Sequence, residues 1–288
     1  MRYLVTGARG MLGSDLAAVL ASTEGAEATL LSRADLDVTD RAAVIAAAVG
    51  HDVIVNAAAY TAVDDAEENE EAAAAINALG AENLAIAARE AGAKLVQVST
   101  DYVFGGNATE PYAEDTEREP LGAYGRTKAE GERLALAAHP LGTYVVRTAW
   151  LYGEHGGNFA ATMLKLAASR PGVSVVDDQF GQPTWTLDLA KQIVLLMESG
   201  APAGVYHGTN GGSASWYEFA RAVYTECGLD PERVQRTDSS AFVRPAPRPS
   251  YSVLGHDRWR TVGLAPMRPW SEALRAAVAE GAVGSTGA

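Results

Sequence analysis

Only one of the 288 residues is a cysteine, Cys227, so no disulfide can form within the chain. A lone thiol suits a reducing, cytoplasmic compartment. Histidine is also scarce: the five, at positions 51, 139, 155, 207 and 256, show no metal-ligand spacing. No metal is expected. No apolar run approaches the ~20 residues that would cross a membrane, and Gly7 interrupts the first apolar stretch too early for a secretion signal. Positive charge is short as well. Against 36 acidic residues stand 23 basic ones, a net charge of -13, which leaves no broad basic surface for nucleic acid. Four of the 23 are lysine, at 94, 128, 165 and 191, and the rest are arginine. Arginine suits bidentate phosphate contacts, although an alanine-heavy, GC-rich composition explains the bias equally well. An anionic small substrate stays open.

Apolar residues at 48% and charged residues at 20% describe a packed globular chain. In the first half, short β-branched runs alternate with alanine-rich stretches. Strands are expected at residues 3–6, 28–31, 52–56, 95–99 and 143–147, with helices at 11–21, 40–49, 72–91 and 123–138. Short, continuously apolar strands alternating with helices predict an α/β fold, a doubly wound parallel sheet of Rossmann-like type. Beyond residue 150 the pattern loosens. Helices are expected at 158–168, 216–227 and 270–279, a strand at 173–176, a non-helical proline-rich segment at 244–249, and a disordered Gly/Ser/Ala tail. The organisation read from this is a dinucleotide-binding domain over 1–150, with later returns to it, and a smaller α/β substrate lobe mainly over 151–288.

Thr6-Gly7-Ala8-Arg9-Gly10-Met11-Leu12-Gly13 falls between the first strand and the first helix. Small residues there let the backbone approach a pyrophosphate, and the helix amino end offers unpaired N–H groups. The spacing is G-x-x-G-x-x-G, and three glycines alone are a weak signal; their position between strand and helix is what strengthens it. After the second strand comes Ser32-Arg33, a hydroxyl and a guanidinium suited to the 2′-phosphate of NADPH. An exposed arginine at a strand end would look the same, and Asp35 and Asp37 nearby suit a 2′-hydroxyl, so NADH stays open.

Tyr124 and Lys128 stand four residues apart at the start of the 123–138 helix, on one face. With 11 tyrosines and four lysines, chance would supply only about 0.15 such Y-x-x-x-K pairs. Reducing a ketone requires a proton at the oxygen as hydride reaches the carbon, and a phenol is a competent acid for this. A neighbouring ammonium is expected to move the phenol's pKa down toward working pH, and it can also hold the nicotinamide ribose. Thr100, in the Ser99-Thr100-Asp101-Tyr102-Val103-Phe104 strand end, can complete the catalytic set, although such residues are also ordinary turn formers.

Taken together, the glycine turn, Asn56 to Asp64, Ser99 to Phe104 and Tyr124 to Lys128 resemble the extended short-chain dehydrogenase/reductases. Arg147 to Gly153, Asp178 to Thr184 and Arg248-Pro249 carry the likeness almost end to end. They direct it to the branch that reduces dTDP-linked 4-keto-6-deoxy sugars in rhamnose synthesis. The resemblance implies catalysis by Thr100, Tyr124 and Lys128. It implies a cofactor site of Gly7, Gly10, Met11, Leu12, Ser32, Arg33, Asp37, Val38, Ala57, Ala58, Ala59, Tyr60 and Asn77, with Tyr124 and Lys128. It further implies a sugar pocket of Val63, Asp101, Tyr102, Trp150 and Arg248, and a homodimer in some members. A 4,6-dehydratase is disfavoured because Tyr102 stands where such enzymes carry glutamate. An epimerase/reductase lacks its Cys/His pair, since Cys227 lies far along the second lobe. A related antibiotic sugar such as a dihydrostreptose precursor, and a non-catalytic NADP-binding regulatory subunit, remain the alternatives.

Overall fold

The computed structural model describes residues 1–284, and its organising element is one six-stranded parallel sheet. In chain order the elements are β1 (Arg2–Thr6), α1 (Met11–Ser22), β2 (Glu27–Leu31), α2 (Arg41–Ala48), β3 (Val53–Asn56), α3 (Glu70–Ala74), α4 (Gly80–Ala91), β4 (Lys94–Thr100), α5 (Ala123–Ala138) and β5 (Thr143–Thr148). Then follow β6 (Leu151–Tyr152), α6 (Phe159–Ser169), β7 (Val173–Val176), β8 (Phe180–Gly181), β9 (Thr184–Trp185), α7 (Thr186–Glu198) and β10 (Gly204–His207). The chain ends through β11 (Ala214–Ser215), α8 (Trp216–Glu226), β12 (Val234–Thr237), α9 (Asp257–Thr261) and α10 (Trp270–Ala279).

The strand order is β10-β5-β4-β3-β1-β2. From β1 the chain first moves outward to β2 and then back across to β3, so a crevice opens beyond the carboxyl ends of β1 and β3. Alternation along the strands sorts the core into two layers. Val5, Val55, Val96 and Val146 pack against Leu16 of α1 and Ile193 of α7. Leu4, Ile54 and Leu95 pack against Val44 of α2 and Leu84 of α4 on the other face. The edge strand β2 departs from the continuously buried pattern, with Leu30 exposed.

Two features differ from the sequence reading, the interruption of one helix and part of the tail. The 72–91 helix is interrupted by a wide π turn at Ala75–Leu79, which separates α3 from α4 and turns the Asn77 amide inward. The returns expected to the first domain are α7, which packs on α1, and β10, which extends the sheet beside β5. The second lobe then gathers β7 and β12 as a parallel pair with α6, α8 and α10 around Phe219, Tyr224 and Leu274. The tail differs in part: Val283 is buried in that lobe's core. The rest of the expected tail, 285–288, lies outside the described residues.

Candidate active site

The glycine turn has the shape that a close ligand requires. Gly7 adopts φ 71°, and a Cβ there would meet Ala58 N at 2.6 Å and Ala57 O at 2.7 Å. A Cβ on Gly13 would meet Gly7 O at 2.2 Å, so α1 leans directly on the turn. Gly10 caps α1 without any side-chain partner, no acidic residue sits in the first turn, and Gly10 is exposed. The N–H groups of the first turn therefore meet no side-chain cap, with the positive end of the helix behind them. A diphosphate fits this cradle.

Ser32 and Arg33 divide. Ser32 is buried and its hydroxyl donates to Asp35 at 2.5 Å, while Arg33 is exposed. The hydrogen bonds from Ser32, aided by Arg9, hold the Asp35 carboxyl below its ordinary range. The Thr39 N–H and hydroxyl, with a smaller contribution from Arg33, do the same for Asp37. Of the expected pair, the guanidinium of Arg33 is the free group, and Arg9 of the glycine turn faces the same acidic corner. Val38 is buried against Gly80. Ala57, Ala58, Ala59 and Tyr60 line the loop after β3, all partly exposed, beside the turn. Asn77 lies beneath that loop. Only 2% exposed, it accepts from Tyr60 N–H at 2.9 Å and donates to Tyr60 O and to Thr127 Oγ1. It ties the loop to α5.

The end of β4 and the start of α5 bring together the three residues expected to be catalytic. Thr100 ends β4, beside Thr148 of β5. Its hydroxyl oxygen accepts from Tyr102 N–H at 3.2 Å and the hydroxyl donates to Asp101 at 2.9 Å; it also favours the Tyr124 phenolate, a smaller effect than burial. Tyr102 meets Tyr124 edge-on, with ring centroids 5.7 Å apart. Lys128 is buried and donates to Val98 O at 2.6 Å. Two glycines allow α5 to come this close: a Cβ on Gly125 would meet Tyr102 O at 2.2 Å, and one on Gly131 would meet Asn77 O at 2.0 Å.

The electrostatics correct one expectation. Burial pushes the Tyr124 phenol up to about 12, against the lowering expected from the ammonium. Burial likewise brings Lys128 down to about 8, partly offset by Glu132. Desolvation exceeds the mutual attraction because the ammonium is aimed at a backbone carbonyl of β4. Tyr124 is thus a firmly protonated phenol, the form a reductase needs.

Asp101, expected in the sugar pocket, is only 2% exposed; burial lifts its carboxyl to about 6. Val63 is half-buried, and next to it Asp64 pairs with Arg248 at 2.9 Å and Arg244 at 3.7 Å. Arg248 therefore joins the loop after β3 to the proline-rich segment. It also lines a cavity of about 620 Å³ with Tyr102, Phe159, Trp216, Phe242 and Arg244. Trp150 stacks on Trp216, centroids 3.5 Å apart at 7°, over the bare face of Gly181. Its φ of 47° is the one positive value at a non-glycine among the described residues. Such strain in a bulky residue persists where surrounding contacts enforce it.

The matching family model is the RmlD substrate binding domain, over residues 1–283. The chain belongs to this family. It is 50% identical to a dTDP-4-dehydrorhamnose reductase of Streptomyces griseus, over 95% of this chain and 91% of that one. It is 49% identical to a dTDP-4-keto-6-deoxy-D-glucose reductase of Streptomyces niveus, over 95% of each chain. A crystal structure of dTDP-4-dehydrorhamnose reductase from Bacillus anthracis in complex with NADP superposes with a TM-score of 0.91. That pair is 37% identical and covers 97% of this chain and 99% of the other.

In this RmlD-family chain the sequence reading missed the support under Lys128. Glu132, one turn further along α5, is fully buried and takes Arg147 Nε at 2.9 Å, Arg147 Nη2 at 2.8 Å and Ser99 Oγ at 2.5 Å. The same i, i+4 spacing that links Tyr124 to Lys128 reaches Glu132, so the signal was present. Phe159, Trp216 and Phe242 carried no such signal, because only the second lobe's folding brings them to one cavity.

Proposed function

We propose that this chain uses NADPH to reduce the 4-keto group of a dTDP-4-keto-6-deoxy sugar. The observation that carries the reading is the Tyr124 phenol packed edge-on against Tyr102, which itself lines the second-lobe cavity, with Lys128 one turn further along α5. Bound over the glycine turn, the nicotinamide supplies the hydride. The chain's own residues do the rest. Tyr124 gives its proton to the carbonyl oxygen as the carbon accepts hydride, leaving an alcohol and a phenolate. Lys128, one helical turn below, favours that phenolate through its charge. The N–H groups of Met11 and Leu12 at the start of α1 hold the diphosphate of the cofactor, and Arg33 takes its 2′-phosphate. The apolar walls of the cavity, Phe159 and Trp216 among them, exclude water from the nucleotide half of the substrate.

Incubating the purified chain with dTDP-4-dehydrorhamnose and following NADPH absorbance tests the proposal; dTDP-rhamnose should accumulate. No oxidation with any dTDP-linked 4-keto sugar would overturn it. A second sugar deserves an arm of the same assay. The Streptomyces niveus relative, named for 4-keto-6-deoxy-D-glucose, is as similar as the rhamnose-branch one.

A further inference from the structure

Trp150 lies two residues beyond Thr148, the β5 neighbour of Thr100, so its indole starts from the sheet edge that holds the expected catalytic residues. Its backbone is left-handed, at φ 47°, and its carbonyl accepts from Thr184 N–H at 3.2 Å. One face of the indole is covered by Trp216, with centroids 3.5 Å apart and planes within 7°. The other face lies against Gly181. A Cβ there would meet Trp150 Cε2 at 2.5 Å and both Nε1 and Cζ2 at 2.7 Å, and none of these nearest atoms belongs to Trp216.

Both walls of this slot come from one small unit. β8 pairs antiparallel with β11, Gly181 opposite Ala214, and Ser215 then caps α8, whose first residue is Trp216. The cap is reciprocal: Ser215 Oγ accepts from Glu218 N–H at 3.1 Å, and Glu218 Oε2 accepts from Ser215 N–H at 2.8 Å. Phe159 of α6 braces Trp216 in turn, with centroids 4.5 Å apart. A side chain at the end of the large sheet is therefore gripped by walls that belong to the second lobe. Strain in a bulky residue persists where its contacts over-determine it, and a ring stack attracts beyond the area it buries. Trp150 still stays partly exposed, which leaves part of it open to a ligand.

We infer that Trp216 is a positioning residue: together with Gly181 it fixes the Trp150 indole, so that the wall expected to meet the sugar is set before the sugar nucleotide arrives. It rests on the proposed reduction only for the identity of that sugar, and the grip itself does not. Trp216 also lines the cavity. A direct wall for the nucleotide and a support acting through Trp150 are separable, because the nucleotide can be offered without its sugar.

The grip is read by fluorine-19 NMR of the chain labelled with 5-fluorotryptophan, whose five signals are assigned by single substitutions. The Trp150 signal should be one sharp line in the wild type. It should move and broaden or split in Trp216→Leu, and return to a single line in Trp216→Phe, which restores a flat ring. An unmoved, sharp line in Trp216→Leu would overturn the grip. The functional test titrates dTDP and dTDP-rhamnose into each variant with NADP⁺ bound. In Trp216→Leu the affinity for dTDP-rhamnose should fall about three- to tenfold further than that for dTDP, the size of one aromatic stack. Trp216→Phe should recover most of that loss, and retained dTDP affinity is itself the check on folding. In a Trp150→Leu background Trp216→Leu should add little, since residues acting through one another are not additive. Equal losses for the two ligands would make Trp216 a wall of the nucleotide pocket alone and overturn its positioning role, as would additive losses in the double variant. A wild type that binds dTDP-rhamnose no better than dTDP would count against the proposed substrate, while the fluorine spectra still decide whether Trp216 holds Trp150.

Discussion

At the scale of single residues, the site separates groups by protonation. Tyr124 at about 12 and Lys128 at about 8 leave an acid that is fully loaded at neutral pH beside a cation that can lose its charge. Replacing Tyr124 with Phe keeps the edge-on packing against Tyr102 and removes the phenol hydroxyl proposed as the acid. A general acid contributes ~10²–10⁴-fold, so kcat should drop by that order with KM for the sugar nucleotide little changed. Steady-state rates check this, and near-normal turnover would point to another proton donor. Arg33 carries a separate prediction. Since Ser32 is occupied by Asp35, the proposed 2′-phosphate contact falls to the exposed guanidinium alone, and is worth ~1.5–3 kcal/mol if charge-assisted. Arg33→Ala should weaken NADPH binding roughly ten- to a hundredfold and leave NADH nearly unaffected, as read by fluorescence titration. Equal losses would show that Arg33 holds the loop. That Tyr124, Lys128 and Thr100 lie near one another was legible from spacing and place. The direction of the phenol's shift was not, because it depends on how deeply α5 settles against β4.

That settling is a property of elements. Gly125 and Gly131 are spaced so that α5 touches the Tyr102 carbonyl at one point and the bulged Asn77 carbonyl at another. Gly131→Ala puts a methyl group 2.0 Å from Asn77 O, a backbone atom that cannot swing away. Overpacking of this kind costs about 1–3 kcal/mol. Because Lys128 lies one turn away, kcat should fall together with the melting temperature. Full activity in a destabilised variant would mean that α5 tilts without moving its amino end. The existence of α5 follows from its sequence, but its closeness to α3 and α4 does not, since the π turn at Ala75–Leu79 has no local signature. The sequence reading placed no helix at α7, although Leu189, Ile193 and Leu196 lie on its buried face. Nothing local says that its apolar face returns to α1, under a sheet whose other strands were laid down much earlier. The glycine turn was the opposite case. Its position after β1 made it legible as a tight turn, and the structure adds the positive φ at Gly7 and the wall supplied by Ala57 and Ala58.

On the scale of the whole molecule, the two lobes meet where the chain tolerates most strain: Trp150 in a left-handed conformation, Asp101 buried, Lys128 desolvated. Sites of this kind are held by the stability of the rest of the fold. Lys128 allows that tension to be measured. Its folded-state pKa is lowered from 10.5 to about 8, so folding works against the charged form. For a depressed pKa the native state loses stability as pH falls through the folded value. The penalty is therefore full below about pH 8 and gone above the unfolded value of 10.5. A shift of this size corresponds to at most on the order of 3 kcal/mol. Lys128→Met retains the volume of the stem and removes the charge, while the Val98 carbonyl keeps its bond from Gln97. The variant should be nearly inactive and yet melt a few degrees higher than the wild type at pH 7. Its advantage should shrink as pH rises from 8 toward 10, where wild-type Lys128 sheds its proton in the folded state. Taking the difference between the two proteins cancels the other groups that titrate in this range. A lower melting temperature at pH 7, or a gap that does not change with pH, would show that the ammonium is held by its contacts with Val98 and Glu132 more strongly than burial opposes it.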